Sequence, residues 1–141
     1  MNINRQWLLA KRPFGMIGKE NFEYCEVSIP EPKDGEVLVR NLYLSFDPTQ
    51  RGWMEDRESY LPPVQIGEPM RAGSVGQVVE SRNSDFEVGD IVQTTGGWQD
   101  FIIAAPDAGV MGLNKIPEGI SPELMMSALG VTGLTAYFGL L

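Results

Sequence analysis

Residues 67–103 read GEPMRAGSVGQVVESRNSDFEVGDIVQTTGGWQDFII. Two β-rich runs, 76–80 and 90–94, are separated by polar turn residues, and a third, 98–103, follows the Gly96-Gly97 pair. Gly67, Gly73, Gly76 and Gly89 stand beside these runs or between them. Isolated glycines in strand patterns mark bulges, tight bends or close backbone approach. Short strands at close spacing, punctuated by turn residues, predict a small barrel or sandwich. The expected fold is mainly β with short helices, a β-barrel bent at its glycines.

The flanks continue that pattern. Residues 5–11 alternate weakly around Trp7, Leu8 and Leu9 and form the first expected strand, ended by Pro13-Phe14-Gly15. A polar turn at 18–21 leads into 22–29. There Phe22, Tyr24 and Glu26 share one face and Glu23, Cys25 and Val27 the other, which predicts a half-buried strand. Pro30, Pro32 and Gly35 make the next turn, since proline fixes φ and glycine supplies the bend. Residues 36–45 are the clearest strand, and its apolar phase changes across Asn41, so a bulge is expected near Arg40 and Asn41. Asp47-Pro48 favours a turn, and 55–63 is a polar loop closed by two prolines. A turn at 105–109 and a short strand at 110–116 follow. Ser121 suits a helix cap, Pro122 the first helical position and Glu123 the positive helix end, predicting a helix from about Pro122 to Leu129.

Composition narrows the chemistry. The chain has 141 residues, with 11 Lys+Arg against 19 Asp+Glu and a net charge of -8. That balance argues against nucleic acid or an anionic membrane as partner. No run of 18 apolar residues appears, and the first residues lack a signal-peptide core, so a cytoplasmic protein is expected. There is no histidine and one cysteine, Cys25. Zinc sites draw on Cys and His, and the common nucleophilic triads need a His base, so neither is expected. Cys25 has no partner in this sequence for an internal disulfide and reads as a half-buried strand cysteine.

The segments AGSVGQVVES (72–81) and FEVGDIV (86–92) resemble the barrel core of the medium-chain dehydrogenase/reductase superfamily, the GroES-like domain. Zinc enzymes of that superfamily carry Gly-His-Glu before the barrel glycines, with the His on zinc. Here Gly67-Glu68-Pro69-Met70-Arg71 stands there. A zinc-binding Cys precedes the equivalent of Asp47 in those enzymes, and Ser45-Phe46 replaces it. The resemblance is thus to the zinc-free, NADP-dependent branch of prostaglandin reductases and alkenal/one oxidoreductases.

That resemblance implies a set of site residues. Asp47-Pro48-Thr49-Gln50-Arg51 resembles the branch's Asp-Pro-x-x-Arg segment at the cleft mouth, although Thr49-Gln50 replaces a common Tyr-Met pair. Asp47, Arg51, Tyr60 and Trp98 are the implied substrate-binding residues, facing one cleft. The alternatives are an Asx turn at Asp47 and a solvated charge at Arg51. Lys115-Ile116-Pro117 resembles the connector before the family's helices, and 130–141, GVTGLTAYFGLL, resembles the helix entering its nucleotide-binding domain. Val131 and Thr135 are then implied cofactor contacts, with a back-bonding hydroxyl as the alternative at Thr135.

The expected organisation is a GroES-like domain at 1–129 and the first turns of the connecting helix at 130–141. No strand–Gly-x-Gly-x-x-Gly–helix fingerprint occurs in the 141 residues. The family's Rossmann domain, catalytic tyrosine and phosphate clamp are therefore expected to lie outside this chain, with no catalytic residue inside it. The implied activity is NADPH-dependent, zinc-free reduction of enals, enones or quinones by a homodimer. The alternative is a non-catalytic substrate-binding or structural barrel. The 121–141 segment is apolar nearly all round, so it is expected to be exposed or self-associating without a covering partner.

Overall fold

A computed structural model describes residues 3–107 and 112–141. Strands β1 (Ile3–Leu9) and β2 (Phe22–Ser28) form an antiparallel pair. Strands β3 (Val37–Leu44), β4 (Ser74–Ser81), β5 (Ile91–Thr94), β6 (Phe101–Ala104) and β7 (Asn114–Lys115) form an antiparallel sheet ordered β6-β3-β4-β5-β7. Among the described residues three short α-helices, α1 (Thr49–Trp53), α2 (Pro122–Met126) and α3 (Val131–Leu140), and a 3-10 turn at Lys19–Asn21 complete the fold. The expected mainly-β fold with short helices is what forms, with both sheets open at their edges.

The phase change in β3 is a register irregularity. Pairing with β4 shifts between Leu38 and Val39 and again between Asn41 and Tyr43, close to the expected bulge. Gly76 faces Asn41 across this irregularity, where a Cβ would lie 2.5 Å from both Arg40 O and Val39 Cγ1. The strands can approach there only because residue 76 has no side chain. One core cluster fills the sheet, with Val37, Val39, Val78, Val92 and Ile102 at its centre. A second consists of Leu9, Met54, Val64 and Met70, with Phe22, Trp53 and Trp98 packed against it.

The second cluster exists because β1 pairs on both edges. Opposite β2, it bonds to irregular chain: Met70 N donates to Trp7 O (3.0 Å), Trp7 N to Trp98 O (2.9 Å) and Leu9 N to Glu68 O (2.9 Å). Asn4, 1% exposed, extends this pairing with its side chain. Its Nδ2 donates to Phe101 O and its Oδ1 accepts from Phe101 N, both at 2.9 Å. The first strand therefore begins at Ile3, two residues before its apolar alternation.

Several boundaries differ from expectation. Residues 49–53, for which only the turn at Asp47-Pro48 was expected, are a single helical turn, since that turn continues once Gln50 N reaches Asp47 O (3.0 Å). Trp98 lies before β6 rather than within it, its backbone taken by Met70 and Trp7. The 22–29 run forms a strand, but Tyr24 and Val27 are exposed, because the two-stranded sheet has little stacked on it. The helix expected to reach Leu129 stops at Met126, where Ser127 Oγ turns back onto Glu123 O (2.7 Å). Gly130 then caps α3. Of the expected strand at 110–116, Asn114 and Lys115 pair with β5, while residues 110 and 111 lie outside the described residues, as do 108 and 109 of the expected turn.

Candidate functional site

The segment from Ser45 to Val64 crosses the second core cluster with only α1 as regular structure, and three arginines hold it. Arg12 Nη1 donates to Met54 O (2.8 Å) and Val64 O (3.2 Å). Arg51 Nη2 donates to Pro13 O (3.3 Å) and Gly15 O (3.1 Å), while its Nη1 pairs with Glu55 at 2.9 Å. Arg71 Nη1 donates to Pro62 O (2.9 Å). Guanidinium groups suit this work because one planar fork serves several carbonyls.

Two hollows flank the Gly96–Gln99 turn, and Gln99 lines both. The larger, about 700 Å³, is walled by Trp7, Phe22, Tyr24, Phe46 and Trp98. Trp98 sits between Phe22 and Phe46, with ring centroids 5.0 and 5.4 Å away. At its rim Arg5 and Asp100 form an ion pair, which raises the Arg5 pKa through its hydrogen bond and charge contact with the carboxylate. The smaller hollow, about 490 Å³, is lined by Leu61, Pro62, Arg71, Thr95 and Gly97, among others. Gly97 adopts φ +68°, and a Cβ there would lie 2.7 Å from Met70 O, so this wall requires glycine. Both volumes fall in the range of small-ligand sites, roughly 300–1,000 Å³.

Buried polar atoms without a partner concentrate here. Among the described residues these are Asn41 Oδ1, Ser45 Oγ, Thr95 Oγ1 and Trp98 Nε1. All four belong to chain bordering the hollows, at 41–45 and 95–98. Leaving such a group unsatisfied costs about 1–3 kcal/mol, and folds tolerate this mainly where function or bound water explains it.

The residues singled out by sequence are distributed over three places. Trp98 lines the larger hollow. Tyr60, 70% exposed, accepts a hydrogen bond from Trp53 Nε1 (3.2 Å) and lines neither hollow. Trp53 packs on the same core cluster as Trp98, so the two aromatic groups share a foundation. Asp47 is exposed and its carbonyl closes the turn into α1. Arg51 is a half-buried tether for the Pro13–Gly15 backbone, a role that neither reading of its sequence anticipated. Val131 and Thr135 lie exposed on α3, where Thr135 Oγ1 donates back to Val131 O (2.7 Å). Phe46 and Arg71 were missed as site residues. Phe46 was read only together with Ser45, as standing where zinc enzymes carry a cysteine; its 78% exposure at the wall of the hollow comes from the fold.

Helix α2 is pinned beside these segments. Ser121 Oγ accepts from Leu124 N (3.3 Å), as a cap should, and Glu123 accepts from the Tyr43 hydroxyl. This bond raises the Tyr43 pKa and lowers that of Glu123, since it favours the neutral phenol and the ionised carboxylate together. The 141 residues contain no Gly-x-Gly-x-x-Gly turn for a dinucleotide's pyrophosphate.

Residues 5–113 match the family described as the N-terminal domain of oxidoreductase, and the chain belongs to that family. More particularly, it is 45% identical over 138 residues to the NADPH-dependent curcumin reductase of Escherichia coli (strain K12), covering 98% of this chain and 39% of that protein. It is 36% identical over 137 residues to prostaglandin reductase 1 of Bos taurus, covering 97% of this chain and 40% of that one. CurA from Vibrio vulnificus, solved in complex with NADPH, superposes with a TM-score of 0.83 at 44% identity, over 97% of this chain and 40% of its own. The expected kinship with NADPH-dependent reductases is therefore established. The chain spans about two fifths of the length of these relatives. No helix among the described residues is long and apolar enough to cross a membrane.

Proposed function

We propose that this chain forms the substrate-side domain of an NADPH-dependent reductase acting on the C=C bond of α,β-unsaturated carbonyls or on quinones, without zinc. The aromatic hollow carries this reading. Phe22, Phe46 and Trp98 offer flat apolar faces for a conjugated substrate, and flat aromatic walls with few polar groups suit such ligands. Bound NADPH supplies the hydride. The residues of this chain bind and orient the alkene, exclude water with Phe46 and Trp98, and leave donors near the turn for oxygen charge. Asp47, Arg51 and Tyr60 shape the loop around that site, and Val131 and Thr135 face the nicotinamide. The nucleotide's phosphates are held by another unit, and the active protein is a cytoplasmic homodimer.

Steady-state assays of the protein carrying this chain test the site. Trp98→Leu is expected to raise KM for a neutral aromatic enone about tenfold with a smaller change in kcat, as loss of uniform binding does. Unchanged KM for both Trp98→Leu and Phe46→Ala would remove the aromatic hollow from the reading.

A further inference from the structure

The smaller hollow holds an uncompensated cation. Arg5, Arg12, Arg51, Arg57 and Arg82 each lie within 4.0 Å of a carboxylate oxygen. Among the described residues Arg40 and Arg71 have no such partner, although acidic residues outnumber basic ones 19 to 11; Arg40 is exposed, whereas Arg71 is half-buried in the wall of the hollow. Its guanidinium lies 5.4 Å from the Trp53 ring centroid and one nitrogen is fixed on Pro62 O. Stacking and that single bond hold the plane still while most of its five N–H donors stay unspent. Glu68 borders the same hollow, but its carboxylate accepts from Gln65 N (3.0 Å) instead of reaching Arg71. Thr95, in the same wall, keeps a buried hydroxyl with no partner.

We propose that Arg71, in the wall it shares with Thr95, forms an anion-receiving subsite for a carboxylate carried by the ligand. A preoriented guanidinium recognises a carboxylate through two parallel N–H···O bonds. This inference rests on the reading that the chain binds carbonyl compounds, and it specifies that an acidic compound is preferred over its neutral ester.

The test is calorimetric titration of the 141-residue chain with benzoylpropionic acid and with its methyl ester. These saturated ketones cannot alkylate Cys25. At neutral pH the acid is expected to bind about tenfold tighter, the scale of one charge-assisted contact. Arg71→Gln is expected to bring the ratio of acid to ester affinity down to about one, while Arg71→Lys keeps part of the preference. Protonating the ligand at acidic pH is expected to erase the preference in the unsubstituted chain, which needs no variant to fold. Equal affinity for acid and ester, or an equal loss of both in Arg71→Gln, would overturn the subsite. Reduction of benzoylacrylate methyl ester by the protein carrying this chain, with NADPH, is the separate readout for the function. Ester reduction without acid preference sinks only the subsite, whereas Arg71-dependent acid binding without any reduction sinks the reductase reading.

Discussion

The β3–β4 ladder and α3 are opposite solutions to the same problem of burying apolar side chains. In the ladder, Val37, Val39, Val75 and Val78 are fully buried, and Gly76 lets the strands close on each other. In α3, no residue of the helix is buried, and Leu134, Tyr137, Phe138 and Leu140 are all exposed, Leu140 by 88%. Both stretches are strongly apolar. The first satisfies itself within the described residues and the second does not. Composition therefore tells how much surface a segment must cover, while only topology tells what covers it.

The sharpest way to break that contrast is to damage the self-sufficient side. Met70 is fully buried against Leu9, Met54 and Val64, so Met70→Ala is expected to lose about 2–5 kcal/mol in denaturant unfolding. Asn4→Ala is expected to cost about 1–3 kcal/mol by stranding the Phe101 backbone groups. Amide exchange at Phe101 would report that loss directly. On the other side, Leu134→Glu with Phe138→Glu is expected to change stability by no more than about 0.5 kcal/mol per substitution. The same pair is expected to abolish concentration-dependent association in sedimentation velocity. A large destabilisation there would mean that α3 is packed after all.

A smaller effect belongs to α2, which joins the two regions. The Tyr43–Glu123 bond lowers the Glu123 pKa, so its contribution is present above the ordinary carboxylate range and is lost as pH falls through the lowered value. The raised Tyr43 pKa works in the other direction: its contribution is present below the ordinary phenol range and is lost as pH rises through the raised value. Docking of α2 is expected to persist between those ranges and weaken outside them. Tyr43→Phe should flatten the profile, read by exchange at α2 amides.

Legibility in the sequence followed the same division. The strands that become β3 and β4 were readable because valine runs, Gly76 and the phase change at Asn41 are local marks of strands and a bulge; their pairing was not. Helix α1 was not, since five residues are too few to show a helical period, and Pro48 announces a turn whether or not a helix follows. Trp98 was named as a candidate and assigned to a strand, whereas hydrogen bonds to Trp7 and Met70, distant in sequence, decide its conformation. Arg51 and Arg71 look alike as isolated charges. Only the fold shows that one is spent on the Pro13 and Gly15 carbonyls and the other lacks a carboxylate. The apolar excess of 121–141 was plain in the sequence.

The central claim is that the aromatic hollow and the loop around it serve an NADPH-dependent reduction of conjugated carbonyls. The most direct measurement is cofactor oxidation by the protein carrying this chain, against a panel of enals, enones, quinones and saturated ketones, with NADPH and NADH compared. Turnover is expected of the conjugated compounds with NADPH, with little from NADH, none of the saturated ketones, and no loss on chelation. Turnover confined to saturated ketones, or activity abolished by a chelator and restored by zinc, would contradict it.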